Sequence, residues 1–578
     1  KDRLKNLNYR AAFIGRRKEL EFLLHRLNEA LLNKGHITVI LGKSGTGKSR
    51  LATELQKYTV AKDATYIEVA STQDCMNTPY WPMIQAIEKM LSFAEKMTIE
   101  NRNKLYKNIK NDLGDDGIIL HKAISKMSVI TGEYRSDYTF SMNEDELFFQ
   151  KIMQFFTSFV SHGHPLILVF DDCQYWDQGS ILFLKAFSGI IANHGINIVL
   201  TMKEEEASRA KEFYEYIVDS AKSGQIAILN LQNISNNEVD DLTLGVFGTL
   251  YNGLHELTAR LYETTQGNPL LIIENIKTFV EEQVVNQEMD GWTVDLEKLS
   301  KVNISASIVD KMVRRLEQIS QMTQEVLNFA AIIGKNFNFE ILQLITQQYY
   351  PDFTTEELID SLKEAFNKGL IEETLTENGQ VTYSFIHDKI KETIISHLTS
   401  DRIKNIHSIA ATVIEKNVED EDKIYKLAFH YIQAENLEKA YFFNIMAGET
   451  ALEVYSLKLA VEFFKNAFRA LQLQEDSSER IYDLALRIAD LNIHLSDFKN
   501  NIFILGNILH DAEKNADQGK LVRIYFLLGR SYYFTGQQIQ ALPFLEKAIP
   551  IAEKLDLKDM MAVAYCSIGR ANSFRAYM

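Results

Sequence analysis

The pattern of apolar and polar residues near the N-terminus alternates between strands and helices. Short, mostly apolar segments at residues 36–41, 66–71, 166–170 and 196–203 predict strands, and the residues between them have helical spacing. Continuous apolar runs of this length are typical of strands that are covered on both faces. The alternation of strands with helices predicts an α/β domain built on a parallel sheet.

Beyond residue 230 the apolar spacing is helical almost to the end of the chain. Residues 231–285 predict several helices, and residues 301–400 predict three helices and then a β-hairpin with a turn at 376–379, which together indicate a winged helix. From residue 401 the pattern resembles tetratricopeptide (TPR) repeats, which stack into an α-solenoid with a concave binding face. The residues that carry this pattern are Tyr525, Leu528, Gly529, Tyr532, Ala541, Phe544 and Ala548. The alternative is that their spacing reflects helix packing without a ligand.

Composition and charge limit the classes of partner. The 578 residues are 46% hydrophobic and 24% charged, with a formal net charge of −16, which is typical of a globular protein and disfavours a nucleic-acid surface along the whole chain. Residues 301–400 hold nine Lys and Arg against fourteen Asp and Glu, a net charge of −5, so direct DNA binding by the winged helix is not expected. Three cysteines without paired spacing, and no apolar run near about 18 residues, predict a reduced cytoplasmic protein without a membrane segment.

The strongest chemical signal follows the first predicted strand. Eight consecutive residues fit G-x-x-x-x-G-K-[ST] between a strand and a helix, the context that a phosphate-binding P-loop (Walker A) requires. They are Gly42, Lys43, Ser44, Gly45, Thr46, Gly47, Lys48 and Ser49. We expect backbone N–H groups to surround the phosphates of ATP or ADP, Lys48 to reach the β- and γ-phosphates, and Ser49 to ligate Mg²⁺. Arg50, the next residue, is included among the predicted nucleotide-binding residues.

Acidic residues follow the apolar run at 166–170, where open α/β sheets bind ligands. We expect Asp171 to hold the Mg²⁺ shell and Asp172 to orient or polarise the attacking water. The alternative is a solvated pair that caps the next helix. A further strand ends in Lys203, which either senses the γ-phosphate or is simply exposed.

Five short motifs occur in a fixed order, and together they resemble those of the STAND ATPases, signal-transducing P-loop proteins of the AAA+ branch. They are FIGRRKEL at 13–20, the P-loop, VFDDCQYWD at 169–177, GNPLLIIE at 267–274 and FIHD at 385–388. The similarity extends to the ATPase modules of multidomain bacterial regulators and soluble adenylyl cyclases. It covers roughly residues 10–400 by motif and the remainder by repeat character.

The resemblance implies roles for further residues. Gly15 and Arg16 match a pair that lies beside the adenine and ribose, and Pro269 matches a proline that packs against the base. His387 matches a histidine of a winged helix that contacts the β-phosphate of ADP; the alternative is a buried histidine that holds the winged helix together. Lys203 stands where the family often has arginine, and a lysine lacks the bidentate fork.

The motifs divide the chain into four predicted domains. These are a P-loop domain at 1–222 with a helical insertion at about 97–150, a helical lid at 223–300, a winged helix at 301–400 and TPR-like repeats at 401–578. The chain has the character of a piece of a longer protein.

The resemblance implies a slow ATPase that acts as a signalling switch, closed with ADP, and open and self-associating with ATP. A protein or small-molecule signal on the repeats would permit nucleotide exchange, and an attached or partner domain would give the output. Two alternatives stay open. One is an AAA+ remodelling ATPase or initiator acting on protein or DNA, and the other is a TPR scaffold with a structural nucleotide.

Overall fold

The computed structural model describes residues 13–132, 144–162, 164–248, 252–288, 291–302, 304, 308–375, 381–419, 422–474 and 479–577. The chain divides into two compact units. The first comprises Lys1–Thr346 and Asp352–Leu398, and the second comprises Gln347–Pro351 and Thr399–Met578.

The first unit begins with a five-stranded sheet in the order β2-β3-β4-β1-β5, in which every pairing is parallel. Its strands are β1 (His36–Gly42), β2 (Thr65–Ala70), β3 (Leu166–Asp171), β4 (Ile196–Lys203) and β5 (Ile226–Leu231). The central strands β1, β3 and β4 consist almost entirely of buried residues, as the apolar runs predict. Because the strands are parallel, their carboxyl ends meet at one edge of the sheet.

The sheet continues past residue 222, the predicted end of the nucleotide-binding domain. Strand β5 pairs with β1 from Ile226 opposite Ile37 to Leu231 opposite Gly42. This strand was not predictable from the apolar pattern, because it lies at the edge of the sheet and only its first and last residues are buried. An edge strand of this kind lacks the continuous apolar run that marks a central one.

Eight helices of the described residues accompany the sheet: α1 (Arg17–Ala30), α2 (Lys48–Ala61), α3 (Trp81–Glu95), α4 (Ile99–Leu113), α5 (Ser128–Thr131), α6 (Glu144–His162), α7 (Gln178–Ser188) and α8 (Lys211–Lys222). Leucines of α1 and α2 pack on the sheet, including Leu27 and Leu51. Helices α4 and α5 and the start of α6 occupy the predicted insertion, of which residues 133–143 lie outside the described residues.

The helical lid predicted after the sheet consists of α9 (Asn236–Phe247), α10 (Leu254–Thr265) and α11 (Pro269–Glu281). A two-stranded sheet and a short helix follow it: β6 (Val285–Glu288), β7 (Gly291–Val294) and α12 (Leu296–Lys301). The lid has a hydrophobic core of its own, centred on Leu257, Leu261, Ile272 and Phe279.

The winged helix is present and has three elements beyond those predicted. It comprises α13 (Ile308–Glu317), α14 (Gln321–Ile333), β8 (Asn336–Asn338), α15 (Phe339–Tyr349), α16 (Thr355–Asn367), β9 (Ile371–Leu375), β10 (Val381–Phe385) and α17 (Asp388–Ser396). The additional elements are β8, α15 and α17. Strands β9 and β10 form the predicted hairpin, and β8 adds a third strand beside β10. Its turn at 376–379 lies outside the described residues.

The second unit consists of helices joined by short connections: α18 (Ser400–Asn417), α19 (Lys423–Gln433), α20 (Leu437–Glu453), α21 (Leu457–Leu473), α22 (Glu479–His494), α23 (Phe498–Asn515), α24 (Gln518–Phe534), α25 (Gln538–Lys554) and α26 (Lys558–Tyr577). Two residues of the TPR-like pattern, Tyr532 and Phe544, stack with ring centroids 5.4 Å apart. A Cβ at Gly529 would lie 2.6 Å from Leu545 Cδ2, so glycine permits the close approach of α24 and α25. The predicted α-solenoid is therefore confirmed.

Among the described residues, no helix is both long and apolar enough to cross a bilayer.

Candidate functional site

The P-loop connects β1 to α2 in the conformation that the sequence pattern predicts. Gly45 and Gly47 have positive φ angles of 81° and 95°, which side-chain-bearing residues rarely adopt. A Cβ at Gly45 would also lie 2.6 Å from Asn268 Oδ1 of the lid. Glycine at this position thus allows the loop both to turn and to approach the lid.

Lys48 is the first residue of α2, and its side chain turns back into the loop. Its Nζ donates to the carbonyl oxygens of Gly42 and Lys43, each at 2.9 Å. The residue is only 6% exposed. Burial lowers the pKa of the Lys48 amine, and the carboxylate of Asp172 opposes this shift. A buried cation held in the loop is suited to a phosphate.

The side-chain oxygens of two residues, Ser49 and Asp171, converge beside the loop, where a hard cation would be expected. Ser49 Oγ donates to both carboxylate oxygens of Asp171, at 2.9 and 2.8 Å, and Thr201 of β4 donates to Asp171 Oδ1. Burial and the neighbouring Asp172 raise the pKa of the Asp171 carboxyl. A hydroxyl and a carboxylate fit Mg²⁺, which prefers oxygen ligands and usually completes its shell with phosphates and water. No cluster of three or more His, Cys, Asp or Glu suited to a metal occurs in the described part of the chain.

Asp172 follows β3 with a left-handed φ of 56°, and its side chain has partners different from those of Asp171. Gln174 Nε2 donates to its Oδ1 at 2.9 Å, and Lys203 Nζ lies 3.3 Å from its Oδ2. Its backbone N–H donates to Thr201 Oγ1 at 3.0 Å. The two aspartates thus face different partners, as expected if one holds a metal and the other a water.

Lys203 is neither simply exposed nor isolated. Its Nζ lies 3.0 Å from Asp388 Oδ2 of α17, and Lys335 Nζ lies 3.1 Å from Asp388 Oδ1. Burial alone would lower the pKa of Lys203, but Asp172 and Asp388 outweigh it and raise that pKa. Neither Lys335 nor Asp388 was among the predicted site residues, although Asp388 belongs to the FIHD motif.

The lid contacts the loop through the start of α11. Asn268 Nδ2 donates to Ser44 O at 2.9 Å, and the backbone N–H of Leu270 lies 3.3 Å from Gly45 O. Asn268 Oδ1 caps α11 by accepting from Leu271 N at 3.3 Å, and Pro269 occupies the first helical position. The Asn-Pro pair signals a helix start, but the contact of Asn268 with the loop has no local signal.

Arg16 lies between the loop and the start of the lid. Its guanidinium donates to Thr46 O at 3.2 Å and to Gln232 O. Gly15 and Arg16 both have positive φ, 69° and 58°. Arg16 lines the cavity described below and Gly15 does not, so the role of Gly15 beside the adenine stays a prediction.

One cavity of about 970 Å³ within the first unit collects these groups. Its polar part includes Ser44 to Arg50, both aspartates, Lys203 and the winged-helix residues Lys335, His387 and Asp388. Its apolar lining comes from the N-terminal segment and the lid: Phe13, Ile14, Ile234, Leu242, Pro269 and Ile273. Of this apolar set the sequence analysis singled out Pro269 alone. A cavity with one charged and one apolar lining is suited to a nucleotide.

His387 lies on the wall of this cavity, directly before α17. Its Nε2 is buried and has no hydrogen-bond partner among the described residues. Burial lowers the pKa of the imidazole to about 4; Lys277 and Lys335 also lower it, whereas Glu274 and Asp388 raise it. The ring is therefore neutral near pH 7 and has one N–H to donate. Its expected phosphate contact would be a hydrogen bond from a neutral imidazole.

Residues 12–200 match the family described as AAA ATPase domain. The expected AAA-type ATPase domain is thus confirmed for this part of the chain, and such a domain implies nucleotide binding.

Over longer stretches the chain is similar to parts of larger proteins. A hybrid signal transduction histidine kinase of Dictyostelium discoideum is 19% identical over 506 residues, 69% of this chain and 14% of the kinase. A peroxide stress-activated histidine kinase of Schizosaccharomyces pombe is 21% identical over 572 residues, which are 90% of this chain and 23% of the kinase. An uncharacterized protein of Rhizobium meliloti is 23% identical over 487 residues, which are 82% of this chain and 44% of that protein. The chain thus spans less than half the length of each.

Among solved structures, the chain is similar to a Pyrococcus horikoshii protein, a signal transduction ATPase with numerous domains (STAND) that has a tetratricopeptide repeat sensor. It covers 97% of this chain and 80% of its own, with 14% sequence identity and a TM-score of 0.37. A TM-score this low supports no inference about how the domains are arranged.

Proposed function

We propose that the chain is a nucleotide-dependent signalling switch of the STAND type, in which ADP stabilises a closed first unit and ATP favours an open, self-associating one. One observation carries the proposal: residues of the P-loop, the lid and the winged helix line the same cavity. A ligand that contacts all three parts stabilises the arrangement that brings them together, because it binds that arrangement better than any other.

The phosphates of the nucleotide would lie against the P-loop, with Lys48 as their buried counter-charge. Ser49 and Asp171 would hold Mg²⁺, which supplies charge neutralisation for the phosphates. The base would lie in the apolar part of the cavity, against Pro269 and Ile273 of the lid. The lid is fastened to the loop by the Asn268 contact, so binding of the base and of the phosphates is coupled.

The winged helix would respond to the nucleotide through two neighbouring residues. His387 would donate its N–H to the β-phosphate, which gives the partnerless Nε2 a partner. Asp388 already bridges Lys203 and Lys335, so the same turn is also fastened to the end of β4. A change of charge at the phosphates would act on both contacts, because each lies within the same cavity.

Hydrolysis would be slow and would reset the switch. Asp172 would polarise the attacking water, but its carboxylate is also engaged by Lys203 and Gln174. A carboxylate held by these two side chains is less free to accept a hydrogen bond from a water. Turnover would therefore rise when the site rearranges and Lys203 leaves Asp172.

The repeats would receive the signal, and the output would come from another part of a longer protein. Concave faces of stacked helical repeats bind peptides, proteins or small molecules. Two of the similar proteins are named as histidine kinases and are much longer than this chain, which supports a regulatory role inside a signalling protein.

The nucleotide that accompanies the purified protein tests this proposal. The chain is purified without added nucleotide and denatured, and the released small molecules are identified by chromatography. We expect about one equivalent of ADP from the wild type, none from Lys48→Ala, and less from His387→Ala. His25→Ala, an exposed histidine on α1, serves as the matched control and should retain ADP.

A wild-type chain that binds neither ADP nor ATP would contradict the proposal. A site that is occupied but never turned over, even in an assembled state, would favour the scaffold alternative. Rapid turnover that DNA stimulates would favour the remodelling alternative.

A further inference from the structure

A carboxylate reaches into the P-loop from the segment that follows β4. Glu204–Glu206 form a short 3₁₀ turn directly after Lys203. Glu205 Oε1 accepts a hydrogen bond from the backbone N–H of Ser44 at 2.9 Å. Backbone N–H groups of this loop are the donors that surround phosphate oxygens. One donor of the phosphate cradle is thus held by an anion of the chain itself.

The position of Glu205 relative to Lys48 identifies the phosphate concerned. The Lys48 amine bonds the carbonyls of Gly42 and Lys43, the residues just before Ser44, and this amine is the group that reaches the β- and γ-phosphates. The Glu205 carboxylate is close enough to oppose the lowering of the Lys48 pKa that burial causes. Glu205 therefore lies at the end of the loop where the chain of phosphates terminates.

We propose that Glu205 is a specificity-determining residue that makes the site prefer a nucleoside diphosphate to a triphosphate. The inference rests on the proposed nucleotide-binding function. ADP can bind while Glu205 keeps its hydrogen bond to Ser44. A γ-phosphate brings further negative charge towards the same N–H group, so Glu205 must give up that bond and move away. The free energy of this displacement and of the like-charge repulsion is lost from ATP binding only.

The same displacement would transmit the presence of the γ-phosphate to the winged helix. Glu205 is two residues after Lys203, whose side chain holds Asp388. Moving Glu205 out of the loop shifts the segment that carries Lys203, and this weakens the bridge to the winged helix. Glu205 would then both disfavour ATP and report its arrival.

The neighbouring carboxylates offer a matched control. Glu204 is exposed and is not part of the cavity lining, whereas Glu206 pairs with Arg209 at 2.9 Å. Replacing Glu205 or Glu204 by glutamine removes the same charge from adjacent positions. Only the first removes the carboxylate from the P-loop.

Dissociation constants of ADP and of a non-hydrolysable ATP analogue, adenylyl imidodiphosphate, are measured on the full chain with Mg²⁺. Fluorescence displacement is used for the wild type, Glu205→Gln and Glu204→Gln. The Kd of the ATP analogue divided by the Kd of ADP measures the preference for ADP. We expect Glu205→Gln to lower this ratio by roughly tenfold, because one like charge is removed at close range to the γ-phosphate. Glu204→Gln should change the ratio by less than about twofold, since the Glu204 carboxylate does not line the cavity and solvent screens its charge from the phosphates.

An unchanged ratio in Glu205→Gln, or equal shifts in the two variants, would overturn the inference and leave the proposed function intact, provided that the wild type binds both nucleotides. If the wild type binds neither, the proposed function fails and the inference fails with it. Melting temperatures of both variants within about 2 °C of the wild type would show that the exposed Glu205 acts on binding and not on folding.

Discussion

Lys203 Nζ lies 3.0 Å from Oδ2 of Asp388, so the last residue of a strand in the ATPase sheet pairs with the first residue of a helix in the winged helix. Burial would raise the pKa of the Asp388 carboxyl, but Lys335 and Lys203 outweigh burial and lower it. The carboxylate is therefore charged at neutral pH. Without this carboxylate, Lys203 and Lys335 would lose the counter-charge that they share.

Asp388→Asn should loosen the closed, ADP-bound form. The variant keeps the shape of the side chain and removes its charge, and the loss of its two partly buried ion pairs, with Lys203 and Lys335, costs about 1–2 kcal/mol. We expect ADP to dissociate roughly tenfold faster. The rate is measured by chasing a fluorescent ADP derivative with excess ADP in a stopped-flow instrument.

Asp401→Asn, an exposed aspartate in the first turn of α18, is the matched control and should release ADP at the wild-type rate. In the double variant Lys203→Ala, Asp388→Asn the two effects should add only in part, because both variants remove the contact between Lys203 and Asp388. A wild-type release rate in Asp388→Asn would show that the bridge does not hold the nucleotide.

Thr201 ties the two aspartates together, and its replacement by valine should weaken the metal site. Its buried hydroxyl donates to Asp171 and accepts from the backbone N–H of Asp172. Valine has nearly the same shape but leaves a buried N–H without this acceptor, which costs about 1–3 kcal/mol. We expect a lower melting temperature and a roughly tenfold higher Mg²⁺ concentration for half-maximal nucleotide binding.

Thr243→Val is the control for this substitution. Thr243 is also fully buried, but it lies in the lid and its hydroxyl donates to Val239 O of its own helix at 2.8 Å. Thr243→Val should lower the melting temperature slightly and leave the Mg²⁺ dependence of nucleotide binding unchanged. If both variants shift the Mg²⁺ titration equally, Thr201 has no specific role at the metal.

The part of the site that the sequence predicts best is the part that follows from local rules. Lys48 and Ser49 belong to a continuous motif, and Asp171 ends a buried strand. Parallel strands bring their carboxyl ends to one edge, so the Ser49–Asp171 contact follows from two local patterns and one topological rule. The winged-helix hairpin was likewise predictable, since its strands are short and flank a turn.

The contacts that join the domains could not be predicted in this way. Three residues reach the P-loop or its surroundings from different elements: Asn268 from a helix start, Lys335 from a loop and Glu205 from a turn. The sequence around each of them is ordinary for such an element and does not indicate the contact. Their roles depend on how the lid and the winged helix pack on the sheet, which no local pattern specifies. Asp388 lay within a quoted motif, but the resemblance assigned a role only to its neighbour His387.

The stability of the first unit should depend on the protonation of His387. Its pKa is about 4 in the folded chain, below the value of about 6.5 for an exposed histidine. Between these values the unfolded chain binds the proton and the folded chain does not, so stability is complete above about pH 6.5 and is lost as the pH falls towards 4. The shift corresponds to at most about 3.5 kcal/mol. Burial is the main cause of the shift; Lys277 of α11 and Lys335 add to it, whereas Glu274 of α11 and Asp388 oppose it.

Urea unfolding of the wild type and His387→Gln at pH 7 and pH 4.5 measures this effect. The variant cannot titrate, so its free energy of unfolding should fall by roughly 2 kcal/mol less than that of the wild type between the two pH values. Equal losses in the two proteins would show that His387 does not contribute to acid sensitivity. The comparison is between proteins at each pH, which cancels the titration of the carboxylates.

Glu274 should be the residue whose loss most weakens the contact between lid and winged helix. It is 3% exposed, and its carboxylate pairs with Arg315 of α13 and with Lys277 Nζ at 2.7 Å. Glu274→Gln leaves the guanidinium of Arg315 without its counter-charge in a poorly solvated place, which costs about 2–4 kcal/mol. Lys277→Gln removes the more exposed partner of the same carboxylate and should cost less than about 1 kcal/mol.

Hydrogen exchange at α11 and α13, together with urea unfolding, distinguishes a loosened contact from a general loss of stability. Faster exchange confined to these two helices in Glu274→Gln is expected, because they carry the two ends of the pair. Replacing both Glu274 and Arg315 by leucine should cost less than Glu274→Gln alone, since a paired charge is then exchanged for apolar contact rather than left unpaired. A larger loss in the double variant would show that each side chain stabilises the unit through separate contacts.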